Sequence, residues 1–216
     1  MTIAYHSAQI PADGVVLEAD IAVPQQARGM VLFAHGSGSS RFSPRNRYVA
    51  GQLQHAGLAT VLADLLTPTE EQADARTGQM RFDIGLLAGR LTALADWLAG
   101  QEATAALVLG LFGASTGAAA ALVAAAARPA QVRAVVSRGG RPDLAAQVLP
   151  RVHQPVLLIV GEKDPAVLEL NRQAMQKLAG ETELVIVPGA SHLFEEPGAL
   201  EHVAQLARDW FLEHLT

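Results

Sequence analysis

Residues Gly113-Ala114-Ser115-Thr116-Gly117 carry the pattern G-x-S-x-G between an apolar run, Ala106 to Phe112, and an alanine-rich run, Ala118 to Ala127. A strand that reverses into a helix at such a pattern presents its serine at the apex of a sharp turn. Side chains two residues either side would obstruct the turn, and glycines at 113 and 117 remove them. A serine hydroxyl is a weak nucleophile, so it needs a base within hydrogen-bond reach and a third group to orient that base. The chain has seven histidines. His192 follows the last apolar run in Pro188-Gly189-Ala190-Ser191-His192, on a loop able to swing over Ser115. His202 and His214 belong to a C-terminal helical stretch, His6 and His55 are peripheral, and His153 precedes its strand. His35 sits in an HG turn, where it would brace the loop that follows. For the orienting acid, Val160-Gly161-Glu162-Lys163-Asp164-Pro165 ends a strand and opens a helix, which favours Asp164. Glu162 on the same loop and Asp143 are alternatives. As a plain N-cap of that helix, Asp164 would have no such role.

The chemistry that this set suits is acyl transfer, which also requires amide donors for a developing oxyanion. Two backbone N–H groups are candidates: that of Thr116, and that of Ser37 in the loop His35-Gly36-Ser37-Gly38-Ser39-Ser40. A glycine-rich loop also suits phosphate, but no G-K-[ST] or G-x-G-x-x-G follows. Arg41, Arg45 and Arg47 cluster just beyond this loop, and Arg138 and Arg141 flank Gly139-Gly140. Arg41 and Arg138 are candidates to receive a substrate carboxylate, with surface or structural ion pairing as the ordinary alternative.

Stepping these residues onto a scaffold requires strands that deliver them to one edge. Val15–Val23 reads as one strand of an N-terminal hairpin with Ile3–Ile10. Met30–Ala34, Leu58–Ala63, Ala106–Phe112, Val132–Ser137, Val156–Val160 and Leu184–Val187 are short apolar runs of strand type. Helical spacing covers Ser43–His55, with Tyr48 and Leu53 inward, and Phe82–Leu98. Helices are also expected at Pro142–Leu149, Pro165–Leu178 and Leu200–His214. Continuous apolar strands alternating with helices predict a mostly parallel sheet covered on both faces. His35, Ser115 and Asp164 then fall at the carboxyl ends of strands, where ligands bind in open α/β sheets. The alanine run after Ser115 reads as a central helix packed close to the sheet. Asp64 to Gln79 reads as a solvated loop rather than a pocket wall. In the terminal stretch LARDWFLEHL, Trp210 and Phe211 are assigned to core packing.

Bulk composition narrows the function classes. The 216 residues are half apolar and 17% charged, with a net charge of −5. They suit one folded α/β domain over 1–216 rather than a disordered chain. The absence of a basic run argues against nucleic acid. No cysteine is present, which excludes thiolate metal sites, disulfides and a cysteine nucleophile. No signal-like N-terminus and no apolar stretch of membrane-spanning length are visible, so the expected protein is soluble and cytoplasmic, without a membrane partner. No H-E-x-x-H or similar spacing calls for a metal, and the chemistry proposed needs no organic cofactor.

With HGSGSS at His35–Ser40, GASTG at Gly113–Gly117, GEKD at Gly161–Asp164 and GASHLFEEPG at Gly189–Gly198, the chain resembles an α/β-hydrolase, and more narrowly a dienelactone-hydrolase-like one. The resemblance covers nearly the whole length. It implies an eight-stranded sheet with one antiparallel edge strand, no large cap, and a Ser-His-acid set in the chain order Ser115, Asp164, His192. It also implies acyl transfer to water from a small-molecule ester. Dienelactone hydrolases proper use a cysteine nucleophile, so the dienelactone substrate is not carried over to a serine chain. Ser115 also excludes the dehalogenases of this fold, which need an aspartate there. Two rival classes stay open at this point: a thioesterase or acyltransferase with the same residues, and a non-catalytic binding domain.

Overall fold

The computed structural model describes residues 2–216. Its centre is an eight-stranded sheet built from β1 (Ile3–Ala12), β2 (Val15–Pro24), β3 (Met30–Ala34), β4 (Ala59–Ala63), β5 (Leu109–Ala114), β6 (Val132–Arg138), β7 (Val156–Gly161) and β8 (Thr182–Val187). The spatial order is β1-β2-β4-β3-β5-β6-β7-β8. This is the α/β-hydrolase fold expected above, with one correction to the strand order. The reversed strand is β2, antiparallel to both β1 and β4, and it lies second from the edge rather than at it. From β4 to β8 every neighbouring pair is parallel. Strands β3 to β7 are buried along nearly their whole length, which is why they read as continuous apolar runs.

Six helices cover the sheet: α1 (Pro44–His55), α2 (Pro68–Thr77), α3 (Ile84–Ala99), α4 (Thr116–Ala127), α5 (Pro165–Met175) and α6 (Ala199–Leu215). One apolar core joins the strands to α3 and α4 through Leu87, Leu91, Leu94, Leu98 and Leu122. The other lies across the sheet and joins Val31, Phe33, Phe112 and Val136 to Val49 and Leu53 of α1 and to Val203, Trp210 and Phe211 of α6. Trp210 and Phe211 therefore serve the core. The alanines of α4 are fully covered at 118 to 121 and at 125. Methyl groups let this helix lie against β5 and β6 where larger side chains would hold it off.

Local signals explain the boundaries. Ser43 Oγ accepts the Asn46 N–H at 3.3 Å with Pro44 at the first helical position, which starts α1. Asp83 accepts the Leu86 N–H at 2.9 Å and starts α3. Three expectations need correction. The segment Asp64–Gln79 contains a true helix, α2, opened by a capping box between Thr67 and Glu70 and closed by Gly78 at φ +66°. Pro142–Leu149 is not an α-helix but carries a 3₁₀ turn, Pro142–Ala145, with a second at Leu149–Arg151. Tyr48 is exposed, and Asn46 and Val49 take the inward positions of α1 instead.

Candidate active site

Register brings the chemistry together. Ala34 of β3 lies beside Gly113 of β5, and Ala114 lies beside Arg138 of β6. Strands β3, β5, β6 and β7 thus discharge their loops at one end of the sheet. There β5 turns at once into α4, with Ser115 between them at φ +51° and ψ −119°. A non-glycine residue rarely adopts this conformation, and it costs on the order of 1–3 kcal/mol unless its surroundings enforce it. The enforcement is visible. A Cβ at Gly113 would stand 2.4 Å from Ala118 Cα, and one at Gly117 would stand 2.2 Å from the Ala34 carbonyl oxygen. Only glycines let α4 fold back so closely over β5 and β3. The Ser115 side chain makes no capping bond to its own helix. The Thr116 N–H, at the first helical position, has no carbonyl one turn back to bond to, so α4 directs an unpaired donor and its positive dipole end at this apex.

Asp164 separates its two readings cleanly. It stands at the N-cap position of α5 but forms no side-chain cap bond. Its Oδ2 lies 2.6 Å from His192 Nδ1. An ionised carboxylate can only accept, so Nδ1 carries the proton and Nε2 is left as the basic nitrogen. The alternatives are engaged elsewhere: Glu162 accepts the Gly189 N–H at 2.6 Å, and Asp143 pairs with Arg141 at 2.7 Å. The His192 loop is further held by Glu196, which accepts the Ser191 N–H at 3.0 Å. Ser115 and His192 both approach the Arg138–Gly139 peptide at the end of β6. The Ser115 N–H donates to the Arg138 carbonyl at 3.1 Å, and a Cβ on the adjacent Gly139 would stand 3.4 Å from His192 Cε1.

His35 braces the neighbouring loop. Its Nδ1–H donates to the Gly36 carbonyl at 3.0 Å, and its Nε2 accepts the Leu65 N–H at 3.0 Å. Burial pushes its pKa below the ordinary histidine value, which keeps the ring neutral and preserves the acceptor that Leu65 needs. The loop then passes so near the apex that a Cβ at Gly36 would lie 3.1 Å from Ser115 Cβ. The Ser37 N–H, expected to face a reacting carbonyl, instead donates to Thr116 Oγ1 at 3.0 Å. The two expected donors are thus adjacent, but one of them already has a protein partner.

A cavity of about 260 Å³ opens against this loop, lined by His35 to Ser40 together with Leu66, Glu71, Asp74, Arg81 and Leu87. Sequence reasoning missed Leu66, Glu71 and Asp74 because it read Asp64–Gln79 as a solvated loop; Arg81 lies just beyond that segment, and Leu87 falls in the helix expected at Phe82–Leu98, with no signal that it faces a cavity. Thr67-Pro68-Thr69-Glu70 was the available signal, since S/T-x-x-E with a proline at the first helical position announces a helix start.

The two arginines considered for substrate charge part ways. Arg41 is consumed within the protein: it pairs with Asp64, stands 3.8 Å from Glu18 and 3.9 Å from Asp20, and stacks 4.1 Å from the Phe42 ring centroid. Its role is to tie the loop after β3 to β2 and β4. Arg138 is 8% exposed, and its Nη1 is buried without a hydrogen-bond partner. Among the described residues no group of three or more metal-ligating side chains occurs, and no helix is long and apolar enough to cross a membrane.

Comparison with known proteins places this geometry. The chain is 57% identical to a dienelactone hydrolase from Anabaena variabilis, whose crystal structure superposes with a TM-score of 0.97 over 99% of both chains. Est1E from Butyrivibrio proteoclasticus shares the fold at 17% identity, with a TM-score of 0.81 over 96% of this chain and 98% of that one. Two Mycobacterium tuberculosis proteins provisionally described as phosphoribosyl transferases are 58% identical over 207 residues, 96% of this chain. The chain spans 46% of the length of those relatives. The pattern of the dienelactone hydrolase family matches residues 17–214. With that match running over nearly the entire α/β-hydrolase scaffold, the chain belongs to the dienelactone hydrolase family.

Proposed function

We propose that the protein is a serine carboxylesterase that cleaves small carboxylic esters through Ser115, His192 and Asp164. One observation carries this reading: Asp164 leaves its own helix uncapped and spends its carboxylate on His192 Nδ1 at 2.6 Å, which leaves Nε2 as the basic nitrogen of a ring close to the Arg138–Gly139 peptide, to which Ser115, held at φ +51°, is hydrogen-bonded. In this reading Ser115 Oγ attacks the ester carbonyl while His192 Nε2 takes its proton. Asp164 holds the ring in the required tautomer and stabilises the imidazolium. The tetrahedral oxyanion accepts from the Thr116 N–H and from the Ser37 N–H, which then shares its proton between the oxyanion and Thr116 Oγ1. The C–O bond to the alcohol breaks as His192 returns the proton to the leaving oxygen. Water, deprotonated by His192, then attacks the acyl-serine and releases the acid and free Ser115. The cavity of about 260 Å³ beside the Gly36–Ser40 loop suits a short acyl or alcohol group.

Because the chain holds no cysteine, the dienelactone substrate suggested by the family's name is not assigned to it. The phosphoribosyl transferase description belongs to proteins about twice as long and is likewise not assigned. A fluorophosphonate probe should label the protein at Ser115, and Ser115→Ala should abolish both labelling and hydrolysis of 4-nitrophenyl acetate. Asp164→Asn should keep the fold and lower kcat by about 10⁴, the loss seen when this carboxylate no longer selects the tautomer. Undiminished hydrolysis by Ser115→Ala would overturn the assignment.

A further inference from the structure

The ring of His192 is poorly enclosed. Its side chain is 40% exposed, and its neighbour Leu193 is 41% exposed. The Asp164 contact at 2.6 Å engages one ring nitrogen and leaves the imidazole free to tilt about that bond. What fixes the ring must therefore act through the backbone that carries it.

The stretch before His192 is joined to the turn that carries Asp164. Glu162 accepts the Gly189 N–H at 2.6 Å, and the Lys163 N–H donates to the Ala190 carbonyl at 2.9 Å. A Cβ at Gly161 would stand 2.4 Å from the Ala190 carbonyl oxygen and 2.6 Å from that of Ser191. Past Ser191 the chain leaves this turn. His192 and Leu193 form the middle of a second turn, closed by the Phe194 N–H donating to the Ser191 carbonyl at 3.2 Å. Phe194 ends it at φ +56°, a conformation that bulky residues rarely adopt. Its side chain is 1% exposed and packs in the core that α6 shares with the sheet, so burial of the ring offsets the backbone strain.

Phe194 thus pins one end of the turn that bears His192. At the other end the Ser191 N–H has no backbone acceptor among the described residues and donates to Glu196, at 3.0 Å to Oε1 and 3.1 Å to Oε2. The same bond is the first cause that holds the Glu196 carboxyl below the usual carboxylate range, so the acceptor is ionised at neutral pH. Glu195 next to it points elsewhere, to Arg45 at 3.2 Å. A charge-assisted bond is stronger than a neutral one, and this one acts on the residue immediately before the base.

We propose that Glu196 is a positioning residue for His192: by holding the Ser191 N–H it sets the turn and, with it, the direction in which Nε2 is presented. The inference rests on the esterase reading above and adds to it a residue that touches neither the substrate nor the reacting atoms. Phe194 supplies the fixed end of the turn and Glu196 the end that a single substitution can release.

Kinetics on 4-nitrophenyl acetate test the role. Glu196→Ala should lower kcat by about 10- to 100-fold with KM within about twofold, the scale expected when a reacting group is misplaced by about 1 Å. Glu196→Gln keeps an amide oxygen for the Ser191 N–H and should hold kcat within about threefold. Added formate should restore part of the lost rate to Glu196→Ala and leave the wild type unchanged. Should Glu196→Ala fail to fold, Glu196→Asp carries the test, because it withdraws the oxygens by one methylene and should lower kcat by at least about fivefold. A readout without turnover is the low-field proton resonance of the bond between His192 Nδ1 and Asp164. It should be sharp in the wild type and in Glu196→Gln, and broadened or lost in Glu196→Ala. That change would stand even if no form hydrolysed the ester, in which case the esterase reading fails and the positioning role survives. Wild-type kcat in the folded alanine or aspartate variant, or an unchanged resonance, overturns the proposal. So does a Glu196→Gln enzyme as slow as Glu196→Ala, since the accepting oxygen would then not be what orients the base.

Discussion

Glu70 is the residue on which the wall of the cavity depends, and replacing it with glutamine gives a prediction with a calculable size. Its two carboxylate oxygens engage both terminal nitrogens of Arg90, and Oε2 also accepts the Thr67 N–H at 2.8 Å. The Arg90 side chain is only 3% exposed and reaches the Leu65 carbonyl at 2.7 Å, so this one pair joins α2, α3 and the exit of β4. The hydrogen bond from Arg90 is the largest cause that holds the Glu70 carboxyl at about 2 instead of 4.5. By linkage that difference corresponds to about 3 kcal/mol of stability. One fifth of the Glu70 side chain meets solvent, which screens the pair and reduces the figure to about 2 kcal/mol. As pH falls, the unfolded chain takes up this proton first. The contribution is therefore complete above about pH 4.5 and is lost as pH approaches about 2. Glu70→Gln keeps the side chain's shape but not its charge. Urea denaturation should show the variant about 2 kcal/mol less stable at about pH 7, or about 4–8 °C lower in Tm. The gap should narrow as pH falls from about 4.5 and close at about pH 2. A gap below about 0.5 kcal/mol, the ordinary range of surface changes, or one that does not narrow with acid, would refute the assignment of α2's anchorage to this ion pair.

Two further predictions concern the loop around Gly36. Thr116→Val removes the acceptor of the Ser37 N–H; stability should fall by about 1 kcal/mol, while kcat stays within about threefold because the freed amide can still serve the oxyanion. A loss of about 100-fold, the usual effect of deleting a donor, would show that the Thr116 hydroxyl itself holds the oxyanion. His35 is buried neutral with its pKa pushed below 6.5. The unfolded chain therefore gains a proton first as pH drops below about 6.5, and stability present above that value declines with acid until the folded ring titrates. Denaturant melts of wild type and His35→Asn between about pH 7.5 and pH 5 should show that decline only in the wild type. Parallel curves would mean that the ring does not carry the pH dependence.

Much of the scaffold was legible because its strands are buried on both faces. Met30–Ala34 and Val156–Gly161 are fully covered, and a strand enclosed on two sides has no polar face to interrupt its apolar run. Ser115 was legible for a steric reason: the glycines at 113 and 117 are dictated by atoms less than 3 Å away, a constraint that leaves a mark in the residue types themselves. Helix α2 was misread because its outward face is almost wholly polar and only Asp74 is buried. Its stability comes from caps and from Arg90, not from an apolar stripe that periodicity would register.

Residue types and their order along the chain were enough to single out Ser115, Asp164 and His192 as candidates, because a turn chemistry and two strand ends are local properties. Which charges were free was not a local property. Arg41 and Arg138 look alike as letters, each close to a glycine-rich turn. Folding sets Arg41 against carboxylates drawn from β2 and the end of β4, and buries Arg138 without an ion pair among the described residues and with its Nη1 unpartnered. Ion pairing depends on distances between segments far apart in the chain, and those distances exist only once the sheet has brought β2, β4 and β6 into register.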